Sequence, residues 1–201
     1  MKIKFLILLC FVVLNTTAQT TEATNTVFGS GKTSIGYFVS PSCQLADIAG
    51  STAILPGIGV GVLFNDRIYF GINYKFIASE NTPNGELDSR LYLDQRYYGL
   101  KFEYAIQSGK VVHVNFPVEL GAGETELDLK DSYDNDGIVP AADAWFAYLE
   151  PGVALEINLQ KYVKFNFSVG YRLVNDLSFR NLSEKDLMGM TYSIGLKIGI
   201  F

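Results

Sequence analysis

Hydrophobic residues recur at every second position through most of this chain, and no stretch shows the three-and-four spacing of an amphipathic helix. The pattern is clearest in residues 188–201. There Met188, Met190, Tyr192, Ile194, Leu196, Ile198 and Ile200 alternate with Gly189, Thr191, Ser193, Gly195, Lys197 and Gly199. Successive side chains on a strand point to opposite faces, so one face of this segment is apolar and the other small or polar. A tilted strand needs roughly 9–11 residues to cross a bilayer, and this one is long enough. Seven further strands are predicted near 33–39, 53–64, 68–76, 98–106, 112–121, 145–159 and 163–173.

The connections alternate in length. Asn65-Asp66-Arg67, Ser108-Gly109-Lys110 and Gln160-Lys161-Tyr162 read as tight turns. A loop holding Pro41, Ser42 and Cys43, and polar stretches at 80–93, 128–143 and 175–186, read as four loops of about ten residues or more. Residues opposed across a hairpin must share a face. Pairing Phe64 with Ile68, Gln107 with Val111 and Leu159 with Val163 meets that condition with three-residue connections. This register puts Gly57 opposite Lys75, Glu150 across from Arg172, and Glu156 diagonal to Lys164. It also puts Lys101 diagonal to Glu119 and turns His113 toward Ala105, near Glu103 and Asn115. The pattern predicts an all-β fold, an eight-stranded antiparallel up-and-down transmembrane β-barrel.

The second face decides which side points inward. It carries glycine, serine and asparagine with isolated charges, not the dense charged mixture of a solvated exterior. An eight-stranded barrel has an interior that side chains just fill, and small residues beside large ones suit that space. Lys75, Lys101, Lys164, Arg172 and Lys197 nearly balance Glu103, Glu119, Glu150 and Glu156, as charges withdrawn from water require. These nine residues are the expected lumen charge network. A soluble lipocalin-like carrier, with its apolar face inside, is the alternative architecture. Tyr92, Tyr97, Tyr98, Trp145, Tyr162 and Tyr171 lie near strand ends and are expected in the interfacial aromatic girdles. Pro56, Pro117 and Pro151 fall within strands, where a closed barrel offers no edge, so local bulges are expected.

Residues 1–19 have the form of a secretory signal: Lys2 and Lys4, then an apolar run, then Thr17-Ala18-Gln19. The barrel domain is therefore expected over 20–201. Cys10 leaves with that leader and only Cys43 remains, which excludes an intrachain disulfide. Loss of Lys2 and Lys4 moves the net charge from −5 to −7, which argues against nucleic acid as a partner.

A leader, eight strands, short and long connections in alternation, and a terminal aromatic at Phe201 resemble the small outer-membrane β-barrel families of the OmpX and OmpA membrane-domain type. The resemblance implies an integral outer-membrane location, assembly by the barrel-assembly machinery, contact with outer-membrane lipid and a monomeric state. Such barrels usually end with the aromatic in phase with the lipid-facing residues; Phe201 is one step out of phase with Ile200.

Little else in the sequence carries chemistry. His113 is the only histidine, so a catalytic relay has no second member; it is expected to be a lumen residue bonded to Glu103 or Asn115, and no catalytic residue is assigned. Asp134, Asp136 and Asp143, with Ser132 and Gly137, have the spacing of a calcium loop. Ser stands first, Asp replaces the bidentate twelfth ligand and Pro140 intervenes, so a hydrated acidic loop is expected and no cofactor or metal is assigned. Gly57, Gly59 and Gly61 line one strand face and are not a nucleotide fingerprint. The expected function is non-enzymatic: a surface-interaction barrel with a plugged, salt-bridged lumen and four extracellular loops that meet an outside partner. The alternatives are a barrel enzyme acting on lipid A or peptides, and the soluble carrier.

Overall fold

The computed structural model describes residues 34–79, 91–129, 143–177, 179 and 182–201. The leader expected over residues 1–19 lies outside them. Eight antiparallel strands follow in chain order: β1 (Ile35–Ile48), β2 (Ser51–Phe64), β3 (Ile68–Phe76), β4 (Leu91–Ile106), β5 (Val112–Leu129), β6 (Asp143–Gln160), β7 (Val163–Asn175) and β8 (Gly189–Ile200). Each pairs with its sequence neighbour, and β8 returns to β1 to close the barrel.

The alternation sets the two faces. Phe70, Ile72, Leu100, Phe102, Leu120, Val153, Phe167, Ile194 and Ile198 are exposed on the outer wall. Lys75, Glu103, Glu119, Glu156, Arg172 and Lys197 are buried inside. The apolar face is thus the outer one, opposite to a lipocalin-like carrier. On β4 the outward row runs Ile106, Tyr104, Phe102, Leu100, Tyr98 and then changes to Arg96 and Asp94. At about 3.3 Å per residue and a tilt near 40°, the apolar part of that row is roughly 20–25 Å tall, the height of a membrane barrel's outer band. Phe102 lies at its middle. Phe102→Arg should cost about 2–4 kcal/mol, against about 0–1 kcal/mol for Thr52→Arg at the end of β2 beyond the band. Urea unfolding in lipid vesicles measures both.

Two connections differ from expectation. The segment with Pro41, Ser42 and Cys43 is not a loop: β1 runs through it and pairs with β2 in unbroken register from Ile35↔Phe64 to Ile48↔Ser51. The connection that remains is the pair Ala49 (φ 54°) and Gly50 (φ 78°), whose positive φ values suit a two-residue hairpin turn. Three longer connections therefore stand at that end of the barrel, not four. Proline misled the reading, because a proline can sit in a strand where its absent N–H is not needed. At Pro41 the β1–β8 ladder lapses between Val39↔Ile198 and Ser42↔Gly195, with the register kept. The β5–β6 ladder lapses in the same way at Pro117, and the β6–β7 ladder at Pro151. Pro56 lies just past the first β2–β3 pair, Gly57↔Lys75. None of these prolines carries a bulge; among the described residues the one register irregularity lies between Asn158 and Gln160.

The turns at the opposite end hold two registers as expected. Phe64 faces Ile68, with Asn65 (φ 51°) and Asp66 (φ 56°) in the left-handed region those residue types tolerate. In the third hairpin Glu156 faces Asn166, so Lys164 is its diagonal neighbour, but at the turn itself Gln160 and not Leu159 faces Val163, because the register shifts after Asn158. The second hairpin is two residues out: Ile106 faces Val114, and Lys101 faces Glu119 directly. An even shift leaves every side chain on its face, so the inside-outside reading survives and only the partners change.

Candidate functional site

The barrel interior is organised in layers. Nearest the tight turns, Leu63, Tyr69 and Ala105 pack with Phe38 and Phe201. Phe201 is out of phase with Ile200 because it turns inward, where Lys164 Nζ lies 4.3 Å from its ring centroid.

Above this floor sits an ionic node centred on Glu156, which is fully buried. Its carboxylate receives Lys197 Nζ at 2.5 Å, the Tyr69 hydroxyl at 2.7 Å, Asn115 Nδ2 at 3.1 Å and Lys164 Nζ at 3.6 Å. His113 Nε2 lies 3.1 Å from the same carboxylate, and its Nδ1 lies 3.3 Å from the Lys110 carbonyl. Lys197 also reaches Glu103 at 2.5 Å, and Glu103 holds Lys101 at 2.9 Å. A second node stands nearer the long loops. Arg172 Nε donates to Glu150 at 3.0 Å, its Nη2 to Gln44 at 2.8 Å and its Nη1 to the Tyr97 hydroxyl at 2.9 Å. Lys75 bridges Glu119 at 2.9 Å and Glu150 at 4.0 Å. The Tyr148 hydroxyl donates to Glu119 at 2.5 Å and Gln44 Nε2 to Glu150 at 2.5 Å.

Cross-strand registers place two like-charge pairs directly opposite each other, Glu119 with Glu150 and Lys164 with Lys197. Alone these would destabilise the sheet. Each is offset by an opposite charge on a nearby strand: Lys75 on β3 and Arg172 on β7 for the glutamates, Glu156 on β6 for the lysines. Between the nodes, Ser40, Ser42, Asn73, Ser168 and Ser193 line a polar cavity of about 40 Å³, adjoined by one of about 30 Å³ against Phe38 and Gly71. Either has room for water. Lys101, whose side chain is 30% exposed, borders both.

An apolar plug closes the lumen toward the long loops. Ile48, Leu55, Leu93, Tyr97, Phe146 and Tyr148 from the strands pack with Leu177, Phe179, Leu182 and Leu187 from the β7–β8 connection. A single turn of 3-10 helix, Glu184–Asp186, shapes that connection. Asp186 accepts from the Ser183 backbone N–H at 2.7 Å and from its hydroxyl at 2.8 Å. The Ala49 N–H donates to the Asp186 carbonyl at 2.7 Å, tying the β1–β2 turn to the plug. Outside the wall, Tyr98 stacks on Trp145 with centroids 6.0 Å apart, and Tyr162 and Tyr171 are also exposed. Tyr97 does not join them; it is buried in the lumen against Phe146 and Tyr148.

All nine residues expected in the lumen network have side chains on the inner face, and the pairings above join them. His113 is bonded to Glu156, which the β5–β6 register sets directly opposite it, and not to Glu103 or Asn115. Asp134 and Asp136 lie outside the described residues, as does the Asp143 side chain. The reading missed Gln44, Tyr69, Tyr97 and Tyr148 as ligands of the charged groups. Their parity on the inner face of long strands was the available signal, except for Gln44, whose segment read as a loop.

The fold is shared with small outer-membrane barrels. Neisserial surface protein A matches with a TM-score of 0.57 at 14% identity, over 84% of this chain and 99% of that one. The N-terminal β-barrel domain of Pseudomonas aeruginosa OprF matches with a TM-score of 0.50 at 10% identity, over 82% and 97%. The outer membrane protein OprG of Pseudomonas aeruginosa gives 0.50 at 14% identity, over 83% and 95%. No protein-family model and no curated protein sequence matches the chain.

Proposed function

We propose that the protein is an integral outer-membrane barrel that anchors and presents a surface formed by its three long connections, and that it neither conducts solute nor catalyses a reaction. The observation that carries this reading is the lumen, closed at one end by the Phe38, Tyr69 and Phe201 floor and at the other by the plug around Phe146 and Leu187. The ion pairs between them bind each charge to its partner and leave no line of free ionic ligands. Location rests on the outward apolar band and on the fold shared with outer-membrane proteins, one of which is named a surface protein. In such barrels tight turns face the periplasm and long connections the exterior, and this barrel takes the same orientation.

Purified protein should migrate faster on a gel before heating than after, as a folded barrel does. In planar bilayers it should add no steady conductance above the bare membrane. A stable open channel would remove the proposal. Protease added to intact cells should cut within 130–142 and spare the turn at Ser108-Gly109.

A further inference from the structure

Pro41, Pro117 and Pro151 each take one donor out of the wall, and the phase of the ladders identifies the carbonyl that loses it. In an antiparallel pair, opposed residues that exchange both N–H···O bonds alternate with residues that exchange none. The Asn158 N–H donates to the Val111 carbonyl at 2.8 Å and the Gly199 N–H to the Tyr162 carbonyl at 3.0 Å. These bonds set the phase around β5 to β8. By that phase Pro117 opposes Gly152 at a bonding position, as Pro151 opposes Tyr171 and Pro41 opposes Leu196, and the three ladder gaps fall there. Proline has no N–H to give. The carbonyls of Gly152, Tyr171 and Leu196 therefore lack their ladder donors.

The bilayer cannot supply the missing bond at Gly152. Val118, Leu149 and Val153 are exposed on the outer wall beside it, within the apolar band. Hydrocarbon has no hydrogen to donate, so a donor has to come from the lumen. Pro117 and Gly152 themselves line the polar cavity of about 40 Å³. A glycine can line a cavity only with backbone atoms. Ser40 and Ser42, on either side of Pro41, also line it, as does Glu150 beside Pro151. The side-chain donors there are engaged: Lys75 with Glu119, Lys101 with Glu103, and Ser168 with Ser193. The charges of Lys75 and Lys101 match those of Glu119 and Glu150, so the cavity suits a neutral occupant.

We propose that this cavity is a structural water site, and that water bound there gives the Gly152 carbonyl the hydrogen bond that Pro117 withholds. Water is neutral, fits the volume, and can donate to a carbonyl while accepting from a serine hydroxyl. The site explains how a closed wall carries Pro117 at mid-membrane without a bulge. It requires the wall to stand in a bilayer and is independent of what the outer surface meets.

The test is nuclear magnetic resonance of the full chain folded in lipid nanodiscs, with heat-modifiable migration checking the barrel separately. A long-lived water should transfer magnetisation to the Gly152 amide, and no such transfer should reach the Phe102 amide on the outer wall. No transfer at Gly152, or equal transfer at Phe102, overturns the proposal. Urea unfolding in lipid vesicles gives a second measurement. Ser168→Leu places an apolar side chain in the cavity and displaces water from it. Pro117→Val supplies an N–H to the Gly152 carbonyl at about the volume of the ring. Ser168→Leu should therefore lower the folding constant about tenfold more in the natural background than beside Pro117→Val. An equal loss in the two backgrounds would make the cost purely steric and overturns the proposal. If Ser168→Leu folds in neither background, the Gly152 transfer decides.

Discussion

Glu156→Leu is expected to lower the stability of the folded barrel by about 3–5 kcal/mol. The carboxylate is fully buried and is shared by Lys197, Lys164, Tyr69 and Asn115, with His113 in contact. Its loss leaves Lys197 with Glu103 alone and Lys164 with no carboxylate, while the two ammonium groups still face each other across β7 and β8. Most of the cost is therefore stranded charge, not lost packing. Adding Lys164→Met to Glu156→Leu should recover part of the loss, because it removes the group left unpaired. Urea midpoints in lipid vesicles decide the matter. A double variant no more stable than Glu156→Leu would place the cost in packing.

Phe146→Ala is expected to cost a similar amount, about 3–5 kcal/mol, through a different mechanism. Phe146 is 2% exposed at the centre of the outer plug. It meets Tyr97 edge-on with centroids 5.6 Å apart, and its ring lies over Gly123, where a Cβ would collide with it. Removing the ring leaves a void that neighbouring strands cannot close, because their ladders hold their spacing. The part free to relax is the β7–β8 connection, so amide exchange should speed up at Leu177, Leu182 and Leu187 and stay slow at Phe102. Exchange unchanged throughout would mean that the plug does not depend on this side chain.

The contrast between these two positions shows how much of the interior the sequence disclosed. Glu156 was assigned to the lumen by parity and by charge balance. Phe146 has the same parity, but an apolar residue on a face otherwise read as small and polar gave no local sign that it belongs to a plug. The plug exists because β4, β5 and β6 run beyond the apolar band, and because the β7–β8 connection folds back into the mouth they form. Both are contacts between segments distant in the chain.

The alternation of side chains alone determined the strand count, the apolar exterior and the inner position of Lys75, Arg172 and Lys197, since parity is a local property of each strand. Even the two-residue error in the second hairpin left it intact. Tertiary closure decided which charge meets which. Glu119 stands beside Glu150 and Lys164 beside Lys197 along the wall, arrangements that hairpin pairing would penalise. Lys75, Arg172 and Glu156, on strands beside these pairs or one strand further round, make them tolerable. What closure adds are contacts that an open meander would hold apart: Lys197 on β8 with Glu103 on β4, and Arg172 on β7 with Gln44 on β1.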